Sequence, residues 1–350
     1  MLIHLNDNTN TKYKNKGLTG LTNLGNTCFI NSCIQILSHS YEINNFLDKG
    51  NYKHILKSKQ ESVLLLEWDN LRKLMWSKNC IISPGKFIKS IQEVARKSNR
   101  DIFTGFSQND LPEFFIFLID SFHISLSREV KITIKGNIEN EEDQLATKCF
   151  KMIQTMYSKD YSEMYELFYG THISKLTGMD NKEISSTPEP FMLLNLPIPS
   201  DKKSPNLFDC LDLYTQDEHL TNDNGIYNEK TKQKEDAIKS IKFWSLPRIL
   251  TIDLKRFNQR NQKDQRLVDF PLEGLNLSRY IIGYNKDDSI YDLYGIANHS
   301  GGVHGGHYTC FIKNANNKWY LFNDTNIAEV KNPQELITPK AYCFFYRKKI

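Results

Sequence analysis

Two hydrophobic rhythms divide the chain. Residues 1 to about 16 show neither and are rich in Asn and Lys, so a flexible N-terminal tail is expected. From Cys28 to about Ser38 the apolar positions Phe29, Ile30, Cys33, Ile34, Ile36 and Leu37 predict a helix. A mainly helical region follows, with helical spacing over Ser62 to Trp76 and Pro84 to Ala95. The run DLPEFFIFLIDSFHISL from Asp110 predicts another helix. Asp110 and Glu113 have capping-box spacing, and Pro112 falls in the first turn, where a missing N–H costs little. Leu145, Cys149, Met152, Ile153 and Met156 fall on one stripe, which predicts a core-facing helix.

After about residue 165 the period shortens. PFMLLNLPI, SLPRILTIDLKRF, YDLYGIANHS, GHYTCFIK, KWYLF and AYCFFYRK read as strands of a largely antiparallel sheet. Residues 198 to 236 are polar and read as an insertion or long loops. Helices first and strands after define the α+β class.

Composition narrows the function. The chain has 350 residues, 39% hydrophobic and 25% charged, which is ordinary for a soluble globular protein. Its length suits two average domains or one large one with insertions. The net charge of +4 is small and the Lys clusters are scattered, so no nucleic-acid partner is expected. The strongest apolar run, Phe114 to Ile119, ends at Asp120, far short of the roughly 20 residues of a span. The first 16 residues carry no secretory apolar segment. The seven cysteines are odd in number and widely spread. Reduced thiols in a cytoplasmic or nuclear, non-secreted setting are expected.

One cysteine stands in a chemical context. A nucleophilic Cys needs a lowered pKa, a base and donors for the developing oxyanion. Cys28 opens a helix, whose N-terminus favours a thiolate and aims N–H groups at a bound carbonyl. Asn23 offers a side-chain amide that a turn through Gly25 folds back toward the sulfur. For the base, three of the nine histidines cluster in NHSGGVHGGHYTC: His299, His304 and His307. His307 opens a strand behind a Gly-rich loop. If Lys313 faces Lys318 across the next hairpin, residue 307 faces residue 324, and a one-residue slip makes it 323. Asn323 and Asp324 are therefore both candidates to orient the imidazole. A metal site of His299, His304, His307 and Cys310 matches no common zinc spacing, and none is expected.

At this point a family resemblance enters. GLTGLTNLGNTCFINSCIQIL resembles the cysteine box of the ubiquitin-specific proteases, and GGVHGGHYTCFIKNANNKWYLFND their histidine box. FTGFSQNDLPEFFIFLID resembles their Gln/Asp-rich box, and ILTIDLKRF and AYCFFYRK further segments in the same order. The resemblance covers roughly residues 17 to 348. It implies a papain-like fold with a thumb over about 17–160 and fingers and palm over about 161–350. It implies a deubiquitinating thiol hydrolase that cleaves the isopeptide or peptide bond after the C-terminal glycine of ubiquitin through a Cys28 acyl-enzyme. His307 would be the base, Asn323 its orienting partner, Asp324 an assisting acid and Asn23 a side-chain oxyanion donor. Asp110 and Glu113 would pair with the arginines of ubiquitin's tail, Gln108 and Gly306 would line its channel, and Tyr308 would pack beside it. Glycines 301, 302, 305 and 306 would form a mobile loop over a narrow Gly-Gly tunnel. No cofactor is implied, the partners are ubiquitin and ubiquitinated proteins, and a monomer is expected.

Two departures stand out. The Gln/Asp box reads QND, with Asn109 in place of a glutamine. The fingers, where many members hold a zinc on two CxxC pairs, read LTGMDNKE and GIYNEKTKQK, without cysteine. The absent thiolates leave open a protease for another modifier ending in Gly-Gly; a catalytically inactive ubiquitin-binding module is the other rival. Richness in Asn, Ile and Lys points to an AT-rich genome, such as that of a virus or parasite acting on host ubiquitin.

Overall fold

The computed structural model describes residues 9–349, apart from 58, 106, 230, 303 and 304. Residues 1–8 of the expected tail lie outside the described residues. From Thr9 the expectation of a free tail is corrected. Helix α1 (Thr9–Tyr13) is anchored, because Tyr13 is buried and stacks on Tyr41 at 4.7 Å between centroids. The N–H of Asn15 then donates to Asn314 Oδ1 at 3.2 Å, so this segment reaches both halves of the molecule.

Strand β1 (Gly20–Leu21) leads to α2 (Cys28–Ser38), then α3 (Tyr41–Asp48), α4 (Gln60–Ser77), strand β2 (Ile81–Ile82), α5 (Gly85–Lys97), α6 (Leu111–Leu126), α7 (Glu141–Asp160) and α8 (Glu163–Phe168). Every residue of α2 is buried, and its polar side chains are hydrogen-bonded: Asn31 to Asp324, Gln35 Nε2 to the Thr19 carbonyl and Ser38 to the Gln35 carbonyl. It sits between the other thumb helices and the palm sheet. Cys33, Ile34, Phe114, Phe115, Tyr308, Cys310 and Phe345 belong to one continuous core. The stripe on α7 is only partly core: Met152 and Met156 are half-buried and line an open groove with Pro190, contrary to the expected burial.

The strands follow as β3 (Gly170–Gly178), β4 (Glu183–Phe191) and β5 (Leu193–Leu196), then α9 (Leu207–Thr215). After these come β6 (Glu218–Leu220), β7 (Ile226–Asn228), β8 (Gln233–Glu235), β9 (Ala237–Ser245) and β10 (Ile249–Leu254). The last are β11 (Leu275–Asn276), β12 (Ile290–Gly302), β13 (Gly305–Lys313), β14 (Trp319–Asn323), β15 (Asn326–Val330) and β16 (Ala341–Lys348). The palm sheet runs β15-β14-β13-β12-β16-β10-β5, and the fingers sheet β4-β3-β9-β6. The insertion expected at 198–236 holds structure of its own. Helix α9 carries a full capping box between Asn206 and Asp209, and it packs Leu207, Cys210 and Leu211 on the far face of the palm beside Leu250, Ile252 and Phe344. The palm is thus covered on both faces, and all six residues of β10 are buried.

Gly20 is where the cysteine loop meets the palm. A Cβ there would lie 2.4 Å from the carbonyl oxygen of Thr325, so only glycine permits the approach. The neighbouring Leu21 N–H donates to the carbonyl of Asp324 at 2.9 Å.

Burial makes the thumb–palm core acid-sensitive. The His39 ring is fully buried, and burial, with the nearby charge of Arg347, lowers its pKa from 6.5 to about 4. The unfolded chain therefore binds a proton at His39 that the folded chain refuses between those values. Stability is lost as pH falls from about 6.5 towards 4, on the order of 3 kcal/mol for this group. Thermal melts at about pH 7 and pH 4.5 test this. The midpoint drops on acidification, and the drop is smaller in His39→Asn.

Candidate active site

The cysteine loop is built by Asn23. Its Oδ1 accepts the N–H groups of Gly25 and Thr27, both at 3.1 Å, and Leu24 N–H donates to Thr27 Oγ1 at 2.9 Å. Gly25 (φ 101°) and Asn26 (φ 52°) take left-handed conformations that fold the turn back. Helix α2 then starts at Cys28, whose side chain is buried, and Sγ accepts the backbone N–H of Tyr308 at 3.5 Å. The expectation of a lowered thiol pKa is corrected. Burial pushes it up, Asp324 adds to the rise, and the N–H groups of Tyr308, Phe29 and Cys28 oppose it without prevailing. In the free protein Cys28 is a thiol.

The histidine hairpin supplies the partner. His307 Nε2 lies 2.7 Å from Asn323 Oδ1. An amide oxygen only accepts, so Nε2 carries the proton and Nδ1 is left basic. The register differs from both expected alignments. Lys313 faces Trp319 and Cys310 faces Phe322, which puts Asn323 beyond Thr309 rather than opposite His307. His307 and Asn323 are diagonal neighbours on one face of the sheet, a separation that such side chains span.

Asp324 plays a different part from the one expected. Asp324 has φ 50°, and its carboxylate accepts from Asn23 Nδ2 at 3.0 Å and Asn31 Nδ2 at 2.7 Å. It fastens the cysteine loop and α2 to the hairpin that carries Asn323. Asn23 spends one amide proton on this contact and has a second. Asn31 was not singled out by the sequence pattern. Its signal was a polar residue one turn after Cys28 in an apolar helix, and it is buried.

Across the cleft, Gln108 Oε1 accepts the N–H of Gly306 at 2.6 Å. The glycines expected to form a mobile loop are paired strand ends, Gly301 with Gly306 and Gly302 with Gly305. His304, considered for a metal, lies outside the described residues. Gly306 is required for close approach: a Cβ there would lie 2.4 Å from Ser300 O and 2.5 Å from His299 Nε2. His299 is buried beneath it, with Lys263 Nζ 3.1 Å from Nδ1, and its ring packs on Tyr308 at 4.6 Å. Burial and Lys263 lower its pKa to about 4, so it is neutral. Among the described residues no group of three or more His, Cys, Asp or Glu is arranged to hold a metal.

Asp110 caps α6, accepting from Glu113 N–H at 3.1 Å, but the reciprocal half of the expected capping box does not form. Its other oxygen accepts the hydroxyl of Tyr342 at 2.8 Å. Glu113 is exposed.

A helical thumb, a sheet palm with fingers, and a buried Cys held by the backbone of the residue that follows His307 fit the papain-like α+β fold. The family model described as ubiquitin carboxyl-terminal hydrolase matches residues 19–346, and the chain belongs to that family. It is 33% identical over 345 residues to ubiquitin carboxyl-terminal hydrolase 2 of Bos taurus, covering 95% of this chain and 55% of that protein. To the Gallus gallus protein of the same name it is 32% identical over 344 residues, covering 95% of this chain and 93% of that one. The chain thus spans about half the length of the bovine relative. Among solved structures, the SAGA DUB module Ubp8/Sgf11/Sus1/Sgf73 bound to monoubiquitin superposes with a TM-score of 0.73. The identity is 26%, over 96% of this chain and 70% of that one.

Proposed function

We propose that the chain is a deubiquitinating thiol hydrolase acting on the amide bond after the C-terminal glycine of ubiquitin. One observation carries this reading. Tyr308 N–H donates to Cys28 Sγ, and the residue before it, His307, is already held through Nε2 by Asn323. Two segments far apart in the chain thus have Cys28 hydrogen-bonded to the residue next to an oriented imidazole, which supports pairing the thiol with that base. The carboxyl-terminal hydrolase family and the ubiquitin-bound neighbour support ubiquitin as the modifier.

Because burial keeps Cys28 protonated, the first step transfers its proton to His307 Nδ1 as sulfur attacks the glycine carbonyl. The oxyanion is met by the N–H groups at the start of α2 and by the second amide proton of Asn23. Collapse expels the substrate amine, which takes the proton from His307, and leaves a thioester. Water, deprotonated by His307, hydrolyses the thioester and restores the thiol.

Release of a fluorescent amine from the C-terminus of ubiquitin tests the reading. Turnover is expected, with no loss after chelation of divalent metals. A rate that disappears on chelation, or turnover only with other Gly-Gly-ending modifiers, would overturn it.

A further inference from the structure

The family model begins at residue 19, and residues 9–18, which lie ahead of it, run along the seam between thumb and palm. Tyr13 is 2% exposed and fills that seam. Its ring stacks on Tyr41 of α3, meets Trp76 of α4 edge-on at 4.9 Å, and shares one buried cluster with Ala315 of the turn between β13 and β14. Its hydroxyl donates to Asn45 Oδ1 at 3.0 Å, and Lys12 pairs with Asp48. Gly17 (φ 73°) lets the chain pass close over Trp76, since a Cβ there would lie 2.7 Å from the indole. The side chain of Asn79 then binds the carbonyl of Asn15 at 3.0 Å and the N–H of Leu18 at 3.1 Å.

On the palm side the same residues hold one turn. Asn314 Nδ2 donates to the carbonyl of Lys16 at 2.8 Å while its Oδ1 accepts the Asn15 N–H, and Asn316 Nδ2 donates to Asn15 Oδ1 at 2.7 Å. That turn is the far end of the hairpin whose near end carries His307 and Asn323, about 20 Å away along β13. The near end is held to the cysteine loop by the Leu21 N–H on the Asp324 carbonyl. The hairpin is therefore fastened to the thumb at two points, and residues 12–18 supply the far one. On the thumb side, Trp76 Nε1 donates to the carbonyl of Ser38, the last residue of α2, which links this segment to the helix that opens at Cys28.

We propose that residues 12–18 form a strap, with Tyr13 as a positioning residue, that holds the histidine hairpin so that His307 meets the Cys28 thiol. This rests on the pairing of thiol and imidazole proposed above. A hairpin fastened at one end alone pivots about that end, and a shift of about 1 Å at a reacting group can cost on the order of 10²-fold in rate. Tyr13 acts through β13 and β14, not by contact with the reacting atoms. Its wedge between Tyr41, Trp76 and Ala315 is the one place where a single side chain joins α3, α4 and the turn of the hairpin among the contacts of this segment.

The test is alkylation of Cys28 by iodoacetamide in the full chain, followed by mass on the peptide containing Cys28, so that the exposed Cys80 does not interfere. Sulfur displaces iodide as its proton passes to His307 Nδ1, so at about pH 7 the rate reads the pairing without any substrate; at about pH 10 hydroxide removes the proton and the base is not needed. Tyr13→Ala is expected to slow alkylation about tenfold at neutral pH and to leave it unchanged in alkali, with kcat on ubiquitin amides falling alike and KM unchanged. Tyr13→Phe, which keeps both ring contacts, should match the wild type. An unchanged rate at neutral pH would overturn the proposal. So would faster alkylation at both pH values, the mark of a loosened fold that merely exposes the thiol. His307→Ala separates the two readings. If it slows alkylation at neutral pH and Tyr13→Ala does not, only the role of the strap falls; if it has no effect, the pairing proposed above falls as well.

Discussion

Cys28→Ala is expected to reduce hydrolysis of ubiquitin amides by at least about 10⁴-fold, the scale at which a nucleophile is lost from a coupled set. The sulfur accepts the Tyr308 N–H at the start of the hairpin that carries His307. Asn23, Asp324 and Asn31 hold one another independently of the thiol. The variant should therefore keep its fold and bind ubiquitin while failing to turn it over. Steady-state kinetics with binding measured in parallel check this. Retained turnover would mean that another group is the nucleophile.

Asn323→Ala should have the next largest effect, about 10²- to 10⁴-fold in kcat, by analogy with removal of the orienting member of a catalytic triad. The bond from His307 Nε2 to Asn323 Oδ1 fixes which nitrogen is basic. Without it the imidazole can rotate or change tautomer, and Nδ1 no longer reliably meets the thiol proton. Asn323→Asp keeps an acceptor at the same place and should restore most of the rate, with a shifted pH–rate profile. Asp324→Asn should cost less, because Asp324 binds Asn23 and Asn31 rather than the imidazole. An equal or greater loss from Asp324→Asn would reverse these roles.

Much of this was legible in the chain. The apolar rhythm after Cys28 predicted the helix that opens at that residue, and Asp110 with Glu113 marked the start of α6. These signals are local, carried by residues within one or two turns. The elements missed or mistaken depended on distant partners. Whether Asn323 or Asp324 meets His307 depends on a register fixed by the turn after Lys313, and a one-residue slip changes the candidate. The direction of the thiol pKa depends on how deeply Cys28 is buried, which distant parts of the chain decide. Residues 9–16 look like a tail because the residues that hold them, Tyr41, Asn45 and Asn314, lie far along the chain. Helix α9 was legible in its capping box and was obscured by the polar sequence around it.

The most direct measurement is the mass of the protein after reaction with ubiquitin carrying a C-terminal alkyne electrophile. The wild-type chain should gain the mass of one ubiquitin, digestion should place the adduct on the peptide containing Cys28, and Cys28→Ala should gain nothing. An adduct on another of the seven cysteines, or none, would contradict the assignment of Cys28 as the nucleophile of a ubiquitin hydrolase.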